Sequence, residues 1–285
     1  MKYDLSIEIH NAGDTDKMFD IIIVGGGPAG LSAAITARQR DKSAAVISND
    51  GSKSGLYKAK EIDNYPGFPK ISGAELLRRL SDHALGMGTE LITGKVNTIL
   101  SAGDSFNVGY GAEILAAKSL VLATGVLQTS LFPGEPELLG RGVSYCATCD
   151  GMLFRGKRIC VVCLAPEAEE EAGYLESIGC EVIRVKTKKV IINGENQVTS
   201  IVADGEKIEC SGVFILRQAV APHLMLSNLE TEKGHIRAGP SGETNIPGVF
   251  AAGDCVGTPY QISKAIGQGQ VAAMSAIEHI SNHIS

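Results

Sequence analysis

One stretch near the start constrains this chain more than any other. Phe19 to Val24 is a short apolar run, and Gly25-Gly26-Gly27-Pro28-Ala29-Gly30 follows it directly. From Pro28 to about Arg40 the spacing is helical, and Ala44 to Ser48 reads as a second strand, a β-α-β unit within about 30 residues. The glycines satisfy G-x-G-x-x-G in the setting its physics requires. Gly25 is expected to make the tight turn, Gly27 to admit a pyrophosphate to the backbone, and Gly30 to let helix and strand pack closely. Pro28 and Ala29 open the helix, whose free N–H groups and dipole favour negative charge. A glycine turn without a ligand is the competing reading, and the complete strand, turn, helix and strand argue against it. The acidic residue that usually holds the ribose about 20 positions on is displaced. The strand ends at Ser48-Asn49-Asp50, so Asn49 or Asp50 is expected in that role.

The rest of the chain repeats the theme. Gly51 to Pro69 is loop-like, and Ala74 to Gly86 has helical spacing. Glu90 to Ala117 reads as short strands joined by glycine turns, and Ser119 to Thr124 as another buried strand. A second β-α-β unit begins at Lys157, with strand Ile159 to Val162, helix from about Pro166 to Ile178, and strand Glu181 to Val185. A hairpin-like turn at Asn193-Gly194 and a strand from Gly212 to Leu216 follow, and Gln261 to about His279 is a helix with small residues on one face. Two such units predict an α/β fold of two Rossmann-like, three-layer ββα domains, the central one inserted into a discontinuous outer one. The expected division is 1–118 and 242–285 for the outer domain and 119–241 for the central domain, and 285 residues suffice for two cores.

A formal net charge of -6 gives no reason to expect a nucleic-acid partner. No apolar stretch approaches the roughly 18 residues that would span a bilayer, so no membrane partner is expected. Met1 to Met18 is polar, lacks the basic start and apolar run of a secretion signal, and is read as an extra strand or a loose arm.

Of the seven cysteines, Cys160, Cys163, Cys180 and Cys210 are read as sitting singly in apolar strands, buried thiols of a reducing cytosol. Cys146 and Cys149 are spaced as a pair, in Tyr145-Cys146-Ala147-Thr148-Cys149-Asp150-Gly151. A C-x-x-C at a helix start can close a disulfide, and the dipole and neighbours lower the thiol pKa so that a thiolate can attack. Half of a zinc site is the rival reading, but no second C-x-x-C or H-x-x-H lies at ligand spacing, and no metal is expected. Two further segments suit a dinucleotide: Ala123-Thr124-Gly125, and an apolar strand that ends in Gly253-Asp254 ahead of a helix.

In this order the segments resemble the pyridine-nucleotide-disulfide oxidoreductases, and the Cys-Ala-Thr-Cys-Asp stretch resembles the active site of the low-molecular-weight thioredoxin reductases. The resemblance runs from about Phe19 to the end and includes Asn64-Tyr65-Pro66-Gly67-Phe68, Pro133-Gly134-Glu135 and the helix that follows Gln261-Ile262. It implies one FAD per chain, held in the outer domain by the Gly25–Gly30 turn, Ala123, Thr124, Gly125, Gly253, Asp254, Gln261 and Ile262. By the same likeness Asn64 and Gln261 touch the isoalloxazine, Cys149 receives electrons from the flavin, Cys146 attacks the partner disulfide, and Asp150 serves as acid/base. The partner implied is thioredoxin or a thioredoxin-like protein, and the assembly a cytoplasmic homodimer.

The pattern breaks in the central domain. Where the family carries a second glycine fingerprint, this chain reads Val162-Cys163-Leu164-Ala165-Pro166-Glu167-Ala168. Cys163 and Leu164 carry Cβ atoms where a pyrophosphate needs bare backbone, and Glu167 places negative charge at a helix start meant for phosphate. The family's His-Arg-Arg survives only as Lys186-Thr187-Lys188-Lys189, and Leu216-Arg217-Gln218 replaces a glycine turn. An ordinary NADPH site is therefore not expected. The chain resembles the ferredoxin-dependent flavin thioredoxin reductases and the related diflavin-linked disulfide oxidoreductases, and its residues do not separate the two. The first implies ferredoxin as electron donor, and the second a second FAD in the vacated pocket. An NADPH-dependent reductase with an atypical site, a dithiol oxidase and a non-catalytic flavin redox sensor are the remaining alternatives.

Overall fold

The computed structural model describes residues 17–49, 54–125, 131–145, 147–164, 168–217 and 222–283. The expected arm before Lys17, Asp50, Cys146, Ala165, Pro166, Glu167, Gln218 and the side chain of Cys149 lie outside the described residues.

The first β-α-β unit forms as β1 (Met18–Val24), α1 (Pro28–Gln39) and β2 (Ala44–Ser48). After α2 (Gly55–Lys58) and α3 (Gly73–Gly86) come β3 (Glu90–Thr93), β4 (Val96–Ala102), β5 (Ser105–Tyr110) and β6 (Glu113–Leu122). The strand order is β3-β2-β1-β6-β5-β4. β3, β2, β1 and β6 run parallel, while β4 and β5 are antiparallel. β1 is an almost unbroken apolar run because both its faces are covered. Ile21 and Ile23 pack with Ala29, Ala33 and Ala272 of the helical layer, while Ile22 and Val24 pack with Val96, Ile99 and Phe106 of the antiparallel flap.

The second unit contains β7 (Val143–Ser144), α4 (Ala147–Asp150), a 3-10 turn at Gly151–Phe154, β8 (Arg158–Cys163), α5 (Ala168–Ser177) and β9 (Glu181–Val185). β10 (Val190–Asn193), β11 (Ser200–Ala203) and β12 (Glu206–Glu209) form an antiparallel meander, and β13 (Gly212–Leu216) completes a parallel sheet of order β7-β13-β8-β9. The chain then passes through α6 (Pro222–Met225), β14 (Thr231–Glu232) and β15 (His235–Ile236), and returns to the first sheet as β16 (Val249–Ala251), which pairs with β6. A 3-10 turn at Gly253–Val256 leads into α7 (Ile262–His283).

The small residues of α7 allow close contact with α1. Ser32 Oγ donates to the Ile266 carbonyl at 2.8 Å, and a Cβ on Gly269 would stand 2.0 Å from the Ala29 carbonyl oxygen. The fold is thus the expected α/β pair of Rossmann-like units, with the second set between two parts of the first. No helix among the described residues is long and apolar enough to cross a membrane.

Three local expectations are corrected and one is extended. Residues 113–122 form one strand, not two, because the first half of β6 pairs with β5 while its second half pairs with β16. The sheet residues 119–122 therefore lie in the first sheet. Within the loop-like 51–69 stretch, Ser54 Oγ accepts from Tyr57 N and caps α2. The hairpin expected at Asn193-Gly194 is present between β10 and β11 over a longer connection, and a second, tight one stands at Asp204-Gly205, where both residues have positive φ (49° and 90°) as a type I′ turn requires. Finally, Cys160 and Cys163 lie in β8, whereas Cys180 and Cys210 stand just ahead of β9 and β13; the neighbouring Cys210 thiol and burial raise the Cys160 pKa.

Candidate functional site

Three chain segments converge at the carboxyl ends of the parallel strands of the first sheet. Gly25 donates to Ile47 O at 2.9 Å and Ala123 to Val24 O at 2.8 Å, which fixes the glycine turn between β2 and the end of β6. Gly25 has φ +117°, and a Cβ there would meet the Ala123 carbonyl oxygen at 2.2 Å. A Cβ on Gly30 would stand 1.8 Å from the Gly25 carbonyl oxygen, so helix and turn close on each other only at glycine. Gly27 differs, since a Cβ there meets nothing within 4 Å. It is the N-cap of α1, with no side-chain cap, Pro28 in the first turn and no acidic residue there. The helix start is thus uncapped and faces open space beside Gly27.

The third segment follows β16. Ala252 donates to Leu122 O at 3.0 Å, which sets Gly253-Asp254 beside Ala123-Thr124-Gly125. Asp254 Oδ1 is buried without a hydrogen-bond partner, and burial raises the carboxyl pKa against an opposing pull from Lys264. A buried carboxylate oxygen without a donor is costly, and a ligand hydroxyl at this point would satisfy it. The uncapped helix, the open space at Gly27 and this acceptor together fit a dinucleotide whose hydroxyls reach Asp254. Gln268 and Lys264 of α7 also belong to the site: Gln268 Oε1 accepts from Gly253 N at 3.1 Å, and Lys264 Nζ donates to the carbonyls of Gly253 (3.3 Å) and Gly257. Neither stands in a short motif, so chain order carries no signal for them. Cys255 is a packed thiol that donates to Leu122 O and Ala252 O, and burial pushes its pKa up to about 11.

Asn64 and Gln261, 197 residues apart, meet directly, with Asn64 Nδ2 donating to Gln261 Oε1 at 3.0 Å. Ile262 begins α7 beside them. Asn49 follows β2, and the ribose-holding alternative Asp50 lies outside the described residues.

The redox motif spans the end of β7 and the start of α4. Cys149 lies in α4 between Thr148 and Asp150, and Ser144 Oγ donates to Asp150 Oδ2 at 2.7 Å. Behind it is a buried polar cluster. Glu135 is 0% exposed and accepts from Phe132 N (2.8 Å), Tyr145 Oη (2.9 Å) and both terminal nitrogens of Arg217, with Nη2 at 2.7 Å. Arg217 lies over the Phe132 ring at 4.9 Å. Burial and the Glu135 carboxylate push the Tyr145 phenol well above its usual range. The sequence shows Glu135 and Arg217 only as parts of separate segments, and their pairing across 82 residues left no pattern to read.

The second nucleotide-type crossover is filled from within. The first turn of α5 carries Glu169, Glu170 and Glu171. Arg184 Nε donates to Glu169 Oε2 at 2.9 Å, and its terminal nitrogens reach both oxygens of Glu176 at 2.5 and 3.0 Å. Lys186 pairs with Glu169 at 2.7 Å. Hydrogen bonds from Lys186 and Arg184 lower the Glu169 pKa. Thr187 Oγ1 donates to Asp204 and accepts from Lys189 N, which makes the lysine stretch a solvated turn. Arg184 and the α5 carboxylates stand in no motif; Cys163, Leu164, Glu167, the lysines and the Leu216-Arg217-Gln218 turn are what the sequence shows of this break. No cluster of metal-ligating side chains occurs among the described residues.

The profile of the family described as pyridine nucleotide-disulphide oxidoreductase matches residues 19–191 and 183–269. A thioredoxin reductase of Bacillus subtilis (strain 168) is 30% identical, over 93% of this chain and 96% of its own length. Among solved structures, a ferredoxin-flavin thioredoxin reductase from Clostridium acetobutylicum superposes with a TM-score of 0.82 at 38% identity, covering 93% of this chain and 98% of that one. A thioredoxin reductase from Gloeobacter violaceus gives 0.73 at 30% identity, covering 94% and 96%.

Proposed function

Since the chain belongs to the pyridine nucleotide-disulphide oxidoreductase family and is a thioredoxin reductase-like flavoprotein oxidoreductase, we propose that it reduces a protein disulfide such as that of thioredoxin with electrons from ferredoxin. The observation that carries the choice of donor is the ion-paired α5. In a Rossmann-type unit the helix start and the cations at the next strand end would receive the cofactor's phosphates. Here Glu169 and Glu176 already occupy Arg184 and Lys186, and three carboxylates stand in the first turn. A phosphate would have to displace Glu169 and tolerate the charges beside it.

In this proposal the outer unit, on either side of a central unit that starts after β6 and ends near residue 241, holds one FAD through Gly25, Gly27, Pro28, Ala29, Gly30, Asn49, Asp50, Ala123, Thr124, Gly125, Gly253 and Asp254. Asn64, Gln261 and Ile262 would lie against its ring system. When bound, the flavin supplies the two electrons that reopen a Cys146–Cys149 disulfide. Cys146, as thiolate, attacks one sulfur of the partner disulfide, and the other partner sulfur leaves as a thiolate. Cys149 then attacks the Cys146 sulfur, the second partner thiolate leaves, and the Cys146–Cys149 bond closes. Asp150, which accepts from the Ser144 hydroxyl, would exchange the protons that the leaving thiolates take up. A homodimer in a reducing cytosol completes the reading and rests on resemblance to the family.

The test is anaerobic stopped-flow mixing of the oxidised holoprotein with either donor. Reduced ferredoxin is expected to bleach the flavin absorbance, and stoichiometric NADPH to leave it unchanged over seconds. Rapid bleaching by NADPH would overturn the donor assignment. Bleaching by neither would point to the oxidase or the sensor.

A further inference from the structure

The turn that carries Asp254 is gripped at both ends by one face of α7. Lys264 and Gln268 stand four residues apart, the spacing that sets side chains side by side on a helix. Gln268 Oε1 accepts from Gly253 N at 3.1 Å, while Lys264 Nζ donates to Gly253 O at 3.3 Å and also to Gly257 O. Gly253 and Gly257 bracket the 3-10 turn, which Gly257 N closes by donating to Asp254 O at 3.2 Å. The same part of α7 is locked to α1, where Gly269 leaves no room for a Cβ against the Ala29 carbonyl oxygen. Asp254 thus has a fixed main chain, while its buried Oδ1 has no hydrogen-bond partner.

We infer that Lys264 and Gln268 are a positioning pair for the cofactor: they hold Asp254 so that Oδ1 can accept from a hydroxyl of the dinucleotide, and the Lys264 charge favours the carboxylate form that accepts. The inference rests on the proposal that the first unit holds FAD, and it gives two residues outside every motif a role in that site. Capping the turn would require only a donor for the two carbonyls, which an amide supplies as well as an ammonium. The charge does what an amide cannot. Burial raises the Asp254 carboxyl pKa and Lys264 opposes that rise, so the ammonium keeps Oδ1 ionised to lower pH. A hydrogen bond to a charged acceptor is stronger than one to a neutral acceptor. Cofactor retention should therefore weaken as pH falls through the Asp254 pKa, and Lys264 should set where that happens. The other titratable groups packed about the turn are Cys255, whose thiol burial pushes up to about 11, and His235 of β15, which meets the Tyr260 hydroxyl at 2.7 Å. The α1 start brings no acidic residue. These groups are shared by every variant compared below.

Release of flavin from the purified holoprotein is followed by its fluorescence on dilution across pH, with circular dichroism to confirm the fold. Lys264→Gln, which keeps donors but loses the charge, is expected to raise the pH midpoint of release by about one unit. Lys264→Arg, which keeps the charge, should stay near the wild type. Gln268→Leu removes the acceptor of Gly253 N without changing any charge. It is expected to weaken retention at pH 7 by about tenfold while leaving the midpoint in place. In an Asp254→Asn background, adding Lys264→Gln should move no midpoint, since the group through which the lysine acts is gone. A folded Lys264→Gln protein with the wild-type midpoint, or a folded Gln268→Leu protein with wild-type retention, would overturn the pair; each stands alone should the other variant not fold. If the wild-type protein carries no flavin, the cofactor reading itself falls and takes the inference with it.

Discussion

A Gly27→Val variant is expected to purify as folded, colourless protein, against a yellow wild type with a flavin-to-chain ratio near one. The backbone at Gly27 has φ -81° and ψ -176°, an extended conformation open to any residue, and a Cβ there meets nothing within 4 Å. The fold therefore has no reason to resist the valine. The branched side chain enters the open space before the uncapped α1 start, where the pyrophosphate would approach the backbone. Blocking that approach is expected to weaken binding by about a thousandfold or more, roughly 4 kcal/mol. Gly30→Val makes the contrast: its Cβ would press on the Gly25 carbonyl oxygen at 1.8 Å, so that variant should lose stability along with colour. Flavin absorbance of the purified proteins, with melting followed by circular dichroism, reads both outcomes. A Gly27→Val protein with wild-type flavin content would refute the cradle, and a wild-type ratio near two would favour the diflavin alternative.

The second large effect concerns the buried ion pair behind the redox loop. Arg217→Met leaves Glu135, 0% exposed, with Phe132 N and Tyr145 Oη as its remaining named donors. Removing one partner of a buried pair typically costs about 3–5 kcal/mol, because the charge left behind is not solvated. For a chain of 285 residues that corresponds to a fall in Tm of about 5–8 °C. Glu135→Gln added to Arg217→Met should recover much of the loss, since the amide oxygen still accepts from Phe132 N and Tyr145 Oη without carrying charge. Calorimetry on the four proteins gives the coupling directly. Additive losses in the double variant would show that the pair does not act as a unit.

Both predictions meet where local sequence stops being informative. The G-x-G-x-x-G turn, the two β-α-β units and the Cys-x-x-Cys could be read along the chain, because each is local. A parallel strand covered on both faces must be apolar throughout, a turn at positive φ calls for glycine, and a dithiol needs fixed spacing. The loss of the second glycine fingerprint was legible for the same reason: Cys163 and Leu164 carry side chains wherever the fold places them.

Tertiary structure decided what depends on residues far apart. Strand β6 read as two because its halves pair with different partners, β5 and β16, and pairing leaves no mark on the strand's own composition. Arg184 drew no notice until α5 laid Glu169 and Glu176 beside it. Asn64 with Gln261, Glu135 with Arg217, and Lys95 with Tyr145 and Glu171 are all pairings that only the packed chain creates. The physical reason is common to them. Backbone conformation is set by a residue and its near neighbours, so motifs that shape turns and strands are visible in order. The energy of a buried charge or an orphaned oxygen such as Asp254 Oδ1 depends on what stands within a few ångströms of it, and chain order alone does not specify those neighbours.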